Sequence, residues 1–395
     1  MQKEKIRKIA YSCLFIAVFI STSGGFFVGQ NVAEAAKSKV TKWQTKLVKA
    51  GIGQTLWQKY LPKISRKECN KVMKAWKKAG ASNTTAQTEV AAQTNSLGSE
   101  IAVGLWYNSK DDIFKIDANK AYNIKDKNGG VIAQVAGDST TRVKYDDDGK
   151  LKVYSSIAET LVDDNVTFDA ADGNNSDIIF DTDRSIKSEW GDYSHFRGKI
   201  EVNYYHGDDI YNGNSSSTTQ IWIINKLPLE QYVWGAGETT GTGDSDHVRV
   251  MTTIFRTYGK WYIDNATKYK PMGFKIRSDA GSQIYLGYDR EEKYPNVRKA
   301  AEDTRGRIVK YDNETALTPY CSYTDGKTRA LKGYPYLKSV KDHKKGTKKS
   351  LNPGDGGNHM WGLSAHGALG YAEDGKSWDW ILKHYYSGVD IDSAY

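Results

Sequence analysis

Residues Leu227 to Asn265 read LPLEQYVWGAGETTGTGDSDHVRVMTTIFRTYGKWYIDN, and the rest of the chain can be placed around them. Leu229, Tyr232 and Val233 give a short apolar helical face, and Pro228 stands at the start of the predicted helix. Gly235 ends it. The ten residues from Gly235, GAGETTGTGD, form a polar loop whose glycines permit backbone conformations that other residues avoid. From about Asp246, Val248, Met251, Phe255, Tyr258 and Tyr262 recur at steps of three and four, the pattern of a second, buried or half-buried helix. Asp244, Ser245 or Asp246 is available as its N-cap. Glu238 therefore lies in a loop between two anchored helices. A glutamate in a polar loop is ordinarily solvated, so its position alone assigns it no chemistry.

Upstream, short alternating runs are separated by turn residues: IAVGLWY, DIFKID, AYNIKD, VIAQVA, TRVKYD and LKVYSS, with NGG and DDDGK between them. They predict antiparallel strands. Asp146 to Gly149 lacks the spaced ligands and closing Glu of an EF-hand and reads as a hairpin turn. FRGKIEVNYY and TQIWIINKLPL add two more alternating strands that run straight into the first helix. The fold class expected over residues 100–395 is α+β, a β-rich antiparallel domain with a few helices.

Three further segments precede it. Residues 1–35 read as an export signal: MQKEKIRK, then an apolar run, then an A-x-A site at Ala33 to Ala35. A retained signal anchor is the alternative. Residues 36–80 predict a small basic helical unit, with Val40, Trp43 and Leu47 on one stripe and Cys69, Val72, Met73 and Trp76 on another. Ser65 and Glu68 form a capping box between them. Residues 81–99, rich in Ser, Thr, Asn and Gln, read as a flexible linker.

A chain of 395 residues allows two or three domains, and its net charge of +9 is unevenly placed. The first 100 residues carry 17 Lys or Arg against 5 acids, the remainder 39 against 42. The basic unit could adhere to an anionic wall polymer or merely act as a spacer. Cys13 falls in the export segment; Cys69 and Cys321 fall in different predicted domains, so no disulfide is expected.

The order LPLEQYVWG, GETT, FRTYGKW resembles the stage II sporulation protein D (SpoIID)/LytB family. In that family a glycine-flanked glutamate lies between two such helices and is the catalytic acid; Glu238 matches it. The resemblance continues in IAVGL, in FRGKIEV, and in DAGSQIYLGY with Gln283, Tyr285 and Gly287. It also takes in the turn of Tyr320, Ser322, Thr324, Gly326 and Lys327, and NHMWGLSAHGA with His359, Gly362, Ser364, Gly367 and Ala368. Ala365 and His366 depart from the commoner Gln-Tyr pair. Some members carry a His/Cys zinc cluster where this chain has Asp279 and Ser282, so no zinc, and no other cofactor, is expected.

The activity that the resemblance implies is lytic cleavage of peptidoglycan glycan strands outside the cytoplasm, with Glu238 as general acid and base. Trp234, Tyr258 and Trp261 are expected to desolvate Glu238. Arg256, Gln283, Tyr285, Tyr320, Ser322, Lys327, His359 and Ser364 are expected to contact substrate. Glu230, the other acid of the central stretch, is expected to be solvated or structural, with little effect when changed to Gln. Two alternatives stand beside this reading: a non-catalytic glycan-binding enhancer of a cell-wall amidase, and a wall-anchored structural protein. Nucleic acid is not an expected partner.

Overall fold

A seven-stranded sheet carries the two helices of the central stretch. The computed structural model describes residues 97–395 apart from 147, 148, 189 and 190. The expectations for the export segment, the basic helical unit and nearly all of the linker lie outside the described residues.

In order across the sheet the strands are Ile276–Arg277, Glu100–Asn108, Ser217–Pro228, Lys199–Asp208, Asn165–Ala170, Tyr122–Asp126 and Val131–Val135. All pair antiparallel except the first two, where Val103 lies beside Ile276 in a parallel pair. A six-stranded sheet runs Gly191–Arg197, Ile179–Ser188, Ile113–Ala118, Thr141–Asp146, Lys150–Tyr154 and Glu159–Val162. The two strands that flank the expected hairpin turn, Thr141–Asp146 and Lys150–Tyr154, pair antiparallel with Asp146 opposite Lys150. The described residues also hold two smaller sheets, of three and two strands, and six α-helices: α1 Leu229–Trp234, α2 Ser245–Asn265, α3 Tyr288–Lys293, α4 Pro295–Asp303, α5 Ala365–Glu373 and α6 Trp378–Tyr385. This is an α+β fold.

Two expectations about strands are corrected. FRGKIEVNYY is not one strand, because Gly198 breaks it with φ +87°. A Cβ there would lie 2.4 Å from the Lys226 carbonyl oxygen, so only glycine lets the chain cross from one sheet to the other. The run IWII does not alternate between core and solvent either. Ile221 and Ile223 join the main core, while Trp222 and Ile224 pack with Tyr205, Tyr269, Met272 and Phe274 on the opposite face. A central strand covered on both sides has no wet face to record as polar residues.

The helices are built as their caps predict. Helix α1 begins after Pro228 and ends at Gly235. Helix α2 is capped by Asp244, whose side chain accepts from the Asp246 N–H at 2.8 Å. Met251 and Phe255 are buried in the main core, Val248 is also buried, and Tyr258 and Tyr262 are half-buried beside that core.

Candidate active site

The loop bearing Glu238 is pinned to the segment 284–286 as a miniature ladder. Gly237 N–H donates to the Ile284 carbonyl at 2.8 Å, and Leu286 N–H donates to the Gly235 carbonyl at 2.9 Å. The approach is close enough that a Cβ on Gly237 would lie 2.5 Å from Ile284 Cγ2. Buried Arg290 clamps the same loop from below, donating from Nη2 to the carbonyls of Gly237 at 3.0 Å and Thr239 at 2.8 Å. A polar loop of this composition would otherwise be mobile; here its backbone groups are committed.

The Glu238 side chain is half-buried, and its Oε1 accepts from the Ile284 N–H at 2.8 Å. Around it stand Tyr232, Tyr258 and Tyr320. A relay of hydrogen bonds orders two of them. Tyr232 donates its hydroxyl to Gln283 Oε1 at 2.7 Å, and Gln283 Nε2 donates to the Tyr320 hydroxyl oxygen at 3.0 Å. With its oxygen already engaged as acceptor, the Tyr320 hydroxyl is left to donate to Glu238. Tyr285 stacks on Tyr232 with centroids 5.1 Å apart and is itself tied to Asn225 Oδ1 at 2.8 Å. The acid thus rests on a frame that reaches the central strand of the sheet.

Burial raises the Glu238 pKa above the ordinary glutamate value, while the Ile284 N–H and the Tyr320 hydroxyl oppose that shift. No second carboxylate acts on it among the described residues. The arrangement favours the protonated form of one carboxyl group and supplies two donors to steady it once ionised.

A second turn adjoins the first through Tyr320. Tyr320–Cys321 pairs in parallel with Leu363–Ser364, which brings His359 beside it. His359 Nδ1 accepts from the Trp361 N–H at 3.0 Å, and the ring donates to the Tyr320 carbonyl through its other nitrogen. Burial lowers the His359 pKa, so this imidazole is a neutral, fixed donor near pH 7.

Residues 217–311, running from the central strand through the Glu238 loop to the strand Arg307–Tyr311, match the family described as SpoIID, stage II sporulation protein. These residues carry a SpoIID domain. It is also 27% identical over 135 residues to stage II sporulation protein D of Bacillus subtilis (strain 168), a match covering 30% of this chain and 39% of that relative. Less than two-fifths of the relative's length is therefore matched. The turns at Tyr320 and His359 lie beyond the SpoIID match, and their place at the site comes from the fold.

Several expected substrate contacts, inside the SpoIID match and beyond it, are corrected. Arg256 is fully buried and faces no groove: Nε and Nη2 bind the Glu230 carboxylate at 2.7 and 2.8 Å, and Nη2 also donates to the Ala301 carbonyl at 2.8 Å. Glu230 is equally buried and accepts from the Gly306 N–H at 2.8 Å, so it is a structural anchor whose change would not be silent. Tyr285 and Gln283 are buried in the frame behind the acid, where Gln283 sets the orientation of Tyr320. Ser364 is buried and caps α5, its Oγ accepting from the Gly367 N–H at 3.2 Å. Tyr320 is half-buried beside the acid and His359 half-buried beside Tyr320, while Ser322 and Lys327 are exposed on the turn that follows Tyr320. Of the expected desolvating rings Tyr258 faces Glu238. Trp234 lies under the Arg298 guanidinium and Trp261 packs on Tyr262.

Tyr232 and the relay through Gln283 were missed by sequence reasoning. Tyr232 reads simply as an apolar helix position, and only the pairing of residues 235–237 with 284–286 aims its hydroxyl. His366, the departure from the family pattern, stacks on Tyr323 at 3.9 Å and its Nδ1 bonds the Ser322 carbonyl at 3.0 Å. It rebuilds that rim with its own ring. Asp279 is occupied by Arg277 at 2.7 Å and by the Tyr211 hydroxyl.

The raised pKa has a consequence for stability. A folded state that holds its proton more tightly than the unfolded chain loses stability as pH rises from the unfolded value through the folded one. Glu238→Gln removes that loss, so the variant should melt above the parent at about pH 8 and together with it at about pH 4. Paired thermal melts check this; a difference that is larger at the acid end would contradict the assigned direction.

Proposed function

We propose that this SpoIID-family chain is an exported, peptidoglycan-active lytic transglycosylase that cleaves glycan strands at N-acetylmuramic acid. The observation that carries the reading is the lone Glu238 carboxyl, lifted in pKa by burial and held by the Ile284 N–H and Tyr320. A hydrolase needs two carboxyl groups, one for the leaving oxygen and one for water or a covalent intermediate. Intramolecular attack needs only one. Glu238 protonates the glycosidic oxygen as the C1–O bond breaks. The 6-hydroxyl of the same muramic acid closes on C1, and the Glu238 carboxylate takes the proton that this hydroxyl releases. The acid is regenerated and no water is consumed. Tyr320 stabilises the carboxylate between the two transfers.

Digestion of purified glycan strands followed by mass detection of 1,6-anhydromuramic ends tests the proposal directly. Reducing ends in place of anhydro ends would indicate hydrolysis. No cleavage, together with stimulation of an added cell-wall amidase, would favour the enhancer reading instead.

Tyr320→Phe supplies a finer check. The lost hydroxyl no longer opposes the burial-driven rise in the Glu238 pKa, so the basic limb of the pH–rate profile should move to higher pH. A limb that stays in place, or moves to lower pH, would remove Tyr320 from the mechanism.

A further inference from the structure

Trp361 is an exposed aromatic ring held outward at the edge of the site by its backbone. It is 37% exposed, one of two tryptophans among the large exposed apolar side chains of the described residues. Met360 before it has φ +60° and Gly362 after it φ +67°. The left-handed region is costly for methionine, and such strain persists only where the surroundings impose it. They do so here. Met360 is fully buried and its carbonyl accepts from the Arg329 N–H at 2.7 Å. A Cβ on Gly362 would lie 2.0 Å from the Pro319 carbonyl oxygen. With both neighbours locked inward, the residue between them is turned to solvent.

The ring is also tied to the acid. Trp361 stacks on His359 with centroids 5.1 Å apart and planes 23° from parallel, and its backbone N–H donates to His359 Nδ1. His359 donates to the carbonyl of Tyr320, whose hydroxyl faces Glu238. One face of Trp361 is occupied by the imidazole. The remaining exposed surface is flat, apolar and negative at its centre.

We propose that Trp361 is a sugar-stacking, positioning residue that holds a pyranose ring of the glycan next to the bond placed at Glu238. This rests on the glycan-cleaving reading above. The polarised C–H groups on one face of a pyranose complement the electron-rich face of an indole, and N-acetylated sugars carry the hydroxyl and amide groups that exposed Ser322 and Lys327 can bind. The ring would fix the orientation of the strand and take no part in proton transfer.

The test uses the full chain in a non-cleaving Glu238→Gln background, with purified peptidoglycan glycan strands as the probe. Trp361→Ala should weaken strand binding roughly five- to tenfold, and Trp361→Tyr should restore most of it, because either aromatic face can stack. In the cleaving protein Trp361→Ala should raise KM with kcat little changed, a split that general loosening of the site would not give. If Glu238→Gln binds strands and Trp361→Ala binds them equally well, the stacking role is overturned while the glycan reading stands. If Glu238→Gln binds no strands, both fall together.

Discussion

Glu238→Gln should reduce the release of anhydromuramic ends by about two to four orders of magnitude, the usual worth of a positioned general acid. The amide keeps the size of the carboxyl and still offers an oxygen to the Ile284 N–H, so the loop and its ladder to residues 284–286 should persist. It cannot deliver a proton to the leaving oxygen. Strand affinity should therefore remain near that of the parent while turnover collapses, with kcat and kcat/KM falling together. Product analysis by mass spectrometry on both proteins decides the matter. Wild-type rates from the variant would end the catalytic reading of this residue.

Arg256→Ala should cost roughly 3–5 kcal/mol of stability, because it leaves the Glu230 carboxylate buried without its counter-ion. The guanidinium also joins α2 to the ends of α4 and the strand Arg307–Tyr311, through the carbonyls of Ala301 and Arg307. Its loss should loosen the support of the loop between α1 and α2. At about 2–4 °C per kcal/mol for a domain of this order of size, the melting midpoint should fall by on the order of 10 °C. Glu230→Ala should behave similarly, whereas the paired change Glu230→Leu with Arg256→Met should recover much of the loss by replacing both charges with apolar volume. A single variant that melts within a degree of the parent would show the pair to be dispensable. For the same reason Glu230→Gln is a poor silent control for Glu238→Gln.

Much of the site's scaffold was legible before any tertiary contact was known. Pro228, Gly235 and Asp244 are local signals, and each acts where it stands: a helix start, a helix stop and a side-chain cap. The strands over residues 100–154 were legible because their alternation records one dry and one wet face. That record fails for residues 221–224, where both faces are dry, and at Gly198, where a sheet crossing hides inside an apparently continuous strand.

The chain's own order of residues determined that one glutamate would sit in a glycine-rich loop between two apolar-faced helices, because caps, breakers and periodicity act within a few residues of one another. It could not determine which polar side chains would meet. Arg256 and Glu230 are 26 positions apart, Tyr232 and Gln283 are 51 apart, and Gln283 and Tyr320 are 37 apart. Only the fold decided that the arginine would be buried as an anchor rather than offered to substrate, and that a tyrosine-glutamine-tyrosine relay would stand behind the acid. The pairing of residues 235–237 with 284–286 and of Tyr320–Cys321 with Leu363–Ser364 sets those distances. Such pairings form between segments far apart in the chain, and the residues within either segment carry no local mark of their partner.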